Sequence, residues 1–176
     1  MNFTDPKTAA QRLGLRVGMK VGDFGVGSGH YTLAVAPLVG TEGRVYAIDV
    51  QQDVLTRVRG LAEERHILNI ETVWGNFEKA FGTKLRDHVL DAAILSNTLF
   101  QLDDRSTAII EIKRTLVSGG RLLVIDWAGT YSGMGPAADR LIPAHDAEAL
   151  FIGAGFHKVE SFAAGPHHYG IIFTAP

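Results

Sequence analysis

The chain has 176 residues, 46% hydrophobic and 20% charged, with a formal net charge of −2 from 17 basic and 19 acidic side chains. That length suits one domain with a sizeable core, and the balance is that of an ordinary globular protein. No basic run marks a nucleic-acid footprint, and the lack of cysteine excludes disulfides, thiolate zinc sites and cysteine nucleophiles.

The opening MNFTDPKTAAQRLGL has no basic region followed by an apolar core, so it does not read as a secretory signal. No apolar run approaches the ~20 residues a bilayer span needs. The expectation is a cytoplasmic protein, one domain over residues 1–176 with a helical lead-in over 1–15. MKVGDF then reads as a strand and GHYTLAVAPLV as the helix after it, with Pro37 expected to kink or end that helix. GRVYAIDV is a second strand. The helix in QQDVLTRVRGLAEERHI puts Val54, Leu55, Val58, Leu61 and Ala62 on one face. NIETVWG is a third strand and DAAILSN a fourth. In DDRSTAIIEIKRTLVSGG, Ala108, Ile109, Ile112 and Leu116 share a helical face, Asp103 or Asp104 caps the start and Gly119 the end. RLLVIDW is a fifth strand and PAHDAEALFIGAG a helix. FHKVESFAA and YGIIFTAP form a closing hairpin-like pair around GPHH.

Runs such as AAIL and LLVI suit strands buried on both faces. Strands alternating with helices predict an α/β doubly wound sheet, with ligands at the carboxyl ends of the strands near the switch in strand order.

The stretch VGDFGVGSGH sits between the first strand and first long helix and carries Gly25, Gly27 and Gly29. A dinucleotide fingerprint needs its third glycine at position 30, which is His30. Asp49 ends the second strand, where an acid can accept hydrogen bonds from both hydroxyls of a ribose. Packing alone is the other account of the glycines.

DFGVGSGHYT, VYAIDV, DAAILSNTLFQL and IIEIKRTLVSGGRLLVIDW together resemble the class I S-adenosylmethionine-dependent methyltransferases, over roughly residues 12 to 175. The likeness is to the small-molecule branch that includes the ubiquinone/menaquinone-biosynthesis type, for which the E-I-x-R-x-L-x-x-G-G-R-L-L-V stretch is typical. It implies a Rossmann-like, mostly parallel seven-stranded sheet with helices on both faces and the last strand antiparallel. It also implies S-adenosyl-L-methionine as cofactor and a small-molecule methyl acceptor; the charge balance leads to no expected nucleic acid partner, and no metal is expected.

By this resemblance Asp23, Gly25, Gly27 and Gly29 form the first cofactor motif, and a Cβ on the glycines would collide with the ligand. Asp23 either faces the positively charged amino-acid end of the cofactor or braces the loop through local N–H groups. Asp49 is the ribose acid and Val50 packs on the adenine. The family commonly has an acid near the adenine amino group, where this chain has Asn76, an uncharged acceptor or a turn residue. Phe77 supplies ring contact. Ser96 and Asn97 lie where the family contacts the methionine end. The SNTL sequence there departs from the N/D-P-P-Y/F signature of DNA and glutamine amino-methyltransferases. The lack of cysteine also argues against arsenic methylation of the family's usual kind.

Methyl transfer needs chiefly proximity and in-line orientation, and a base only when the acceptor must lose a proton early. The long segment after the fifth strand holds Asp126, Trp127, Tyr131, Met134 and His145. Trp127 and Tyr131 are candidate acceptor walls. His145, His30 and Tyr131 are the candidate catalytic residues. Phe100 is core or rim. His167–His168 reads as a turn rather than a metal pair, because no acidic or cysteine partner lies at ligand spacing. The alternatives to a methyltransferase are a nicotinamide-dependent oxidoreductase, against which His30 argues, and a cofactor-binding module without acceptor turnover.

Overall fold

Continuous apolar runs in the sequence become strands covered by helices on both sides. The structure is a computed structural model and describes residues 5–131 and 135–176. Its elements follow in chain order: α1 (Pro6–Gln11), β1 (Lys20–Phe24), α2 (His30–Val39), β2 (Arg44–Asp49), α3 (Gln52–Glu64) and β3 (Ile70–Trp74). Then come β4 (Leu90–Ser96), a short 3-10 turn (Leu99–Gln101), α4 (Arg105–Thr115), β5 (Leu116–Trp127), α5 (Ala144–Gly153), β6 (His157–Ala163) and β7 (His168–Thr174).

The seven strands make one sheet in the order β3-β2-β1-β4-β5-β7-β6. The pairs from β3 across to β5 are parallel. The last strand, β7, runs antiparallel to both of its neighbours. This is the doubly wound, Rossmann-like sheet expected. The chain winds outward from β1 to β3, then returns to β4 on the other side of β1. Ligands of such sheets lie in the crevice at that switch.

Alternation along the strands feeds two cores. Ala93 and Leu95 of β4 face Ile109 and Ile112 of α4 and Phe151 of α5. Ala92 and Ile94 face Ala9 and Ala10 of α1 and Val35 of α2. On that same side, Leu55 and Val58 of α3 cover Val26 and Ala47. Phe151 stacks on Phe173 of β7, with ring centroids 5.0 Å apart.

Two local expectations are corrected. Pro37 lies inside α2, which continues to Val39. It costs the helix one bond, to the Leu33 carbonyl, and the helix ends two residues later. Helix α4 stops at Thr115, four residues before Gly119. The two residues just before β4 capture its end: the His88 and Val89 amides bond the Arg114 and Thr115 carbonyls at 3.0 and 2.8 Å. Strand β5 then begins at Leu116 and slips register against β4 between Leu90 and Ala92. Gly119 sits in that irregular stretch at φ +72°, where it serves a kink in the strand rather than a helix cap. Asp104, not Asp103, caps α4 by accepting the Thr107 amide at 3.0 Å.

Candidate active site

A cavity of about 610 Å³ opens at the carboxyl ends of β1, β2 and β4. The glycine loop forms its floor. Gly25, Gly27 and Gly29 all have positive φ, at +76°, +49° and +80°. The packing adds a second reason for glycine at two of these positions. A Cβ on Gly25 would meet Thr98 at 2.7 Å, and one on Gly29 would meet Val58 at 2.9 Å. Those two glycines answer to the protein's own side chains. Only at Gly27 is the space open, with nothing nearer than 3.9 Å. Gly29 also starts α2 without any side-chain cap.

Asp49 joins the loop to β2. Its two carboxylate oxygens accept the Gly27 amide at 3.2 Å and the Gln51 amide at 2.9 Å. Each oxygen has a second lone pair, so the group keeps acceptor capacity toward the cavity that it lines. Val50 is half exposed beside it, and its carbonyl accepts the Trp74 indole N–H at 3.0 Å.

Asp23 is buried on β1 and also borders the cavity. One oxygen accepts the Thr32 hydroxyl at 2.6 Å. Burial pushes its carboxyl up to about 7, opposed by the Thr32 bonds and reinforced by the nearby Asp49 charge. Asp23 thus ties β1 to α2 through the Thr32 hydroxyl and also lines the cavity.

Ser96 and Asn97 follow at the end of β4, and both line the cavity. Asn97 adopts φ +54°, a left-handed conformation that asparagine tolerates. Its amide bonds the Ile125 carbonyl at 2.8 Å and its carbonyl accepts the Gln101 side chain at 2.7 Å. Its side-chain oxygen is buried and has no hydrogen-bond partner among the described residues. The Tyr31 hydroxyl lies near Ser96 and Asp23, and burial raises its pKa.

The far wall is Asn76, Phe77 and Glu78. The Asn76 side-chain oxygen accepts the Glu78 amide at 2.8 Å, so it makes a turn as well as facing the cavity. Phe77 is buried edge-on against Phe24, with centroids 5.6 Å apart. A buried clamp behind this wall accounts for the E-I-x-R motif. Glu111 accepts the Phe81 and Thr83 amides at 3.0 and 3.2 Å and the Thr83 hydroxyl at 2.6 Å, and pairs with Arg114 at 2.7 Å. Arg114 also reaches the Leu85 carbonyl at 3.0 Å and the Asp87 carboxylate.

The expected catalytic candidates do not gather in one place. His30 lines the cavity from the start of α2. His145 lies apart from it, with an exposed ring 3.1 Å from Asp146. Trp127 and Tyr131 are absent from its described walls. Tyr131 packs tilted against His167 instead, with ring centroids 4.1 Å apart. Asp126 is buried and accepts the Trp127 and Phe100 amides at 2.8 and 3.3 Å, bracing the turn after β4. Met134 lies outside the described residues. Leu99 is core, and Phe100 is half-buried and off the cavity.

His168 was missed as a site residue. The GPHH segment is a turn only in part, because His168 is the first residue of β7, buried and lining the cavity. A signal for it existed. An antiparallel last strand beside β5 must begin at the edge where β5 ends, and here His168 pairs with Trp127.

A family model described as a methyltransferase domain matches residues 22–124, more than half of the chain. The chain is 29% identical over 157 residues to a ubiquinone/menaquinone biosynthesis C-methyltransferase UbiE of Cronobacter sakazakii, covering 89% of this chain and 59% of that protein. It is 32% identical over 116 residues to the protein of that name from a Marinomonas species, covering 65% of this chain and 45% of the relative. The chain thus spans about half the length of these relatives. Among solved structures, a SAM-dependent methyltransferase from Aquifex aeolicus superposes with a TM-score of 0.90 at 25% identity, covering 99% of this chain and 91% of that one. Motif, sheet order and relatives agree, and the chain belongs to the methyltransferase-domain family, in the class I S-adenosylmethionine-dependent group.

Proposed function

We propose that the chain transfers a methyl group from S-adenosylmethionine to a small-molecule acceptor. The observation that carries this reading is the charge of the cavity. Its described walls include Asp23, Asp49 and Glu78, and among them is no lysine or arginine. A ligand bearing a sulfonium and an ammonium suits such walls, whereas a dinucleotide brings a pyrophosphate that meets no cation there.

The residues present fit that cofactor. Asp49 takes the two ribose hydroxyls with its remaining lone pairs, and Val50 and Phe77 flank the adenine. The open space above Gly27 admits the nucleoside close to backbone. The buried Asn97 side-chain oxygen accepts from the ammonium, and Asp23 supplies its counter-charge. When bound, S-adenosylmethionine supplies a methyl group already activated by positive sulfur. The protein's share is to hold an acceptor in line with that methyl and exclude water, which accounts for much of the rate in bimolecular chemistry.

The whole of residues 1–176 serves as one methyltransferase domain in this reading, with 1–15 as its lead-in. It works in the cytoplasm, and its net charge of −2 supports a small acceptor over nucleic acid. Among the described residues, no helix is long and apolar enough to cross a membrane. Calorimetry against S-adenosylmethionine and S-adenosylhomocysteine tests the reading. Binding of both is expected, while NAD(H) and NADP(H) leave the melting temperature unchanged. A folded protein that binds neither adenosyl compound refutes it.

A further inference from the structure

The cavity is longer than one adenosyl group. It runs from Asp49 on β2, past Asp23 on β1 and Ser96–Thr98 after β4, to His168 on β7. In the strand order, β2 and β7 are four places apart, roughly 19 Å at the usual strand spacing. A nucleoside held at Asp49 therefore leaves the β7 end for a second molecule. The three acids Asp23, Asp49 and Glu78 border the cavity toward β1–β3. The β7 end is walled by His168, with Tyr31 and His30 of α2 and Pro6 of α1 on the same side of the sheet.

His168 is held firmly there. Its ring lies on Trp127, with centroids 4.3 Å apart, and the two residues pair across β5 and β7. Gly135 packs against Trp127 so closely that a Cβ would meet the indole at 2.8 Å. The His167 carbonyl accepts the Ala128 amide at 2.8 Å, tying the hairpin to the segment after β5. An imidazole fixed this way meets a ligand without first choosing among rotamers.

We propose that His168 is a catalytic residue that touches the acceptor and receives its proton, and that the acceptor is an uncharged molecule with an O–H at the reacting position. This rests on the methyl-transfer reading above. The acceptor oxygen bonds to the methyl carbon, the carbon–sulfur electron pair stays on sulfur, and the O–H proton passes to a ring nitrogen of His168 and then to solvent. Burial lowers the pKa of His168, with His167 acting in the same direction, so the ring is neutral and able to accept. A protonated amine offers no such match, because it has no lone pair to attack the methyl carbon until it has lost its proton.

The test uses the full chain, tritiated S-adenosylmethionine, and phenol, catechol and hydroquinone as acceptors. Wild type is expected to bind S-adenosylhomocysteine and to methylate at least one of them. His168→Phe and His168→Gln are expected to keep S-adenosylhomocysteine affinity within about threefold and to lose about 100-fold or more in kcat. Free imidazole is expected to restore part of the activity of His168→Ala. Independently of turnover, adding the acceptor to the S-adenosylhomocysteine complex is expected to shift the His168 imidazole nitrogen resonances of the wild type. Failure to bind S-adenosylhomocysteine sinks the underlying methyl-transfer reading. Normal binding with no turnover of any of the three, or kcat within threefold of wild type in His168→Phe, sinks this proposal alone. If the variants unfold, unmoved His168 resonances in wild type saturated with a methylated acceptor overturn it.

Discussion

The Asp49 carboxylate meets the Gly27 amide at 3.2 Å, joining two positions 22 residues apart at the floor of the cavity. The bond makes the proposed ribose acceptor also the brace of the glycine loop. Any ligand that borrows the second lone pairs of Asp49 binds a group already oriented by the backbone, and so loses little in ordering it.

Asp49→Ala removes the proposed ribose acceptor and releases the loop together. A hydrogen bond to a charged group contributes about 1.5–3 kcal/mol, so S-adenosylhomocysteine affinity is expected to fall about 10- to 100-fold. Asp49→Asn keeps one acceptor oxygen and is expected to lose less. Titration calorimetry at constant salt reads both, and an unchanged Kd in Asp49→Ala removes the ribose role.

The glycines separate in a second experiment. Gly29→Ala places a Cβ 2.9 Å from Val58 at φ +80°, so its main effect is expected on stability. Gly27→Ala meets only the Gly25 carbonyl oxygen, in ordinary contact at 3.9 Å, and bears the left-handed penalty, about 1–2 kcal/mol. Its larger effect is expected on S-adenosylhomocysteine affinity. Val58→Ala should recover part of the melting temperature lost in Gly29→Ala and nothing in Gly27→Ala. Equal losses of affinity and stability in both variants contradict this division.

Much of this was legible in the chain because period and punctuation carry it. The seven strands, the glycine turn and the Asp49 strand end all follow from local pattern. Asp23, Val50, Asn76, Phe77, Ser96 and Asn97, which the family resemblance placed near strand ends, all line the cavity. What stayed hidden depends on packing between distant segments. The clash of Gly25 with Thr98 requires β4 to lie beside β1. The role of Glu111 requires the irregular 75–89 stretch to fold back over α4. His168 requires knowing that β7 inserts between β5 and β6. His145 looked equally reactive in sequence, but helix α5 starts at the surface.

Glu111 makes a stability prediction with a definite sign. Burial disfavours its charge, yet the Arg114 guanidinium and the Thr83 and Phe81 bonds outweigh that and hold its carboxyl at about 2. The folded pKa lies below the ordinary 4.5, so its stabilisation is complete above pH 4.5 and is lost as pH falls toward 2. Glu111→Ala leaves Arg114 without its buried partner and is expected to cost about 3–5 kcal/mol at pH 7. Urea denaturation reads this as a lower midpoint at constant slope. The gap to wild type should narrow steadily below pH 4.5, and a gap that stays constant to pH 3 rules out the clamp.

Asp23 gives the opposite sign. Burial lifts its carboxyl to about 7, so the folded protein holds a proton there that the unfolded chain releases near pH 4. Stability from this group is therefore greatest in acid and declines as pH rises from about 4 to about 7. Asp23→Asn mimics the protonated form and is expected to stabilise the ligand-free protein at pH 8, by up to about 4 kcal/mol, with a gain that shrinks toward pH 4. Ligand binding runs the other way. The ammonium of the cofactor needs the ionised carboxylate, whose population falls about tenfold between pH 8 and pH 6. S-adenosylhomocysteine affinity is expected to fall by about that factor, with proton release on binding at pH 6. Calorimetry in two buffers of different ionisation enthalpy measures the released proton directly. In Asp23→Asn the affinity is expected to be lower and flat across the same range. A wild-type Kd that does not change from pH 8 to pH 6 would place the ammonium away from Asp23, leaving the Asn97 side-chain oxygen as its only proposed partner.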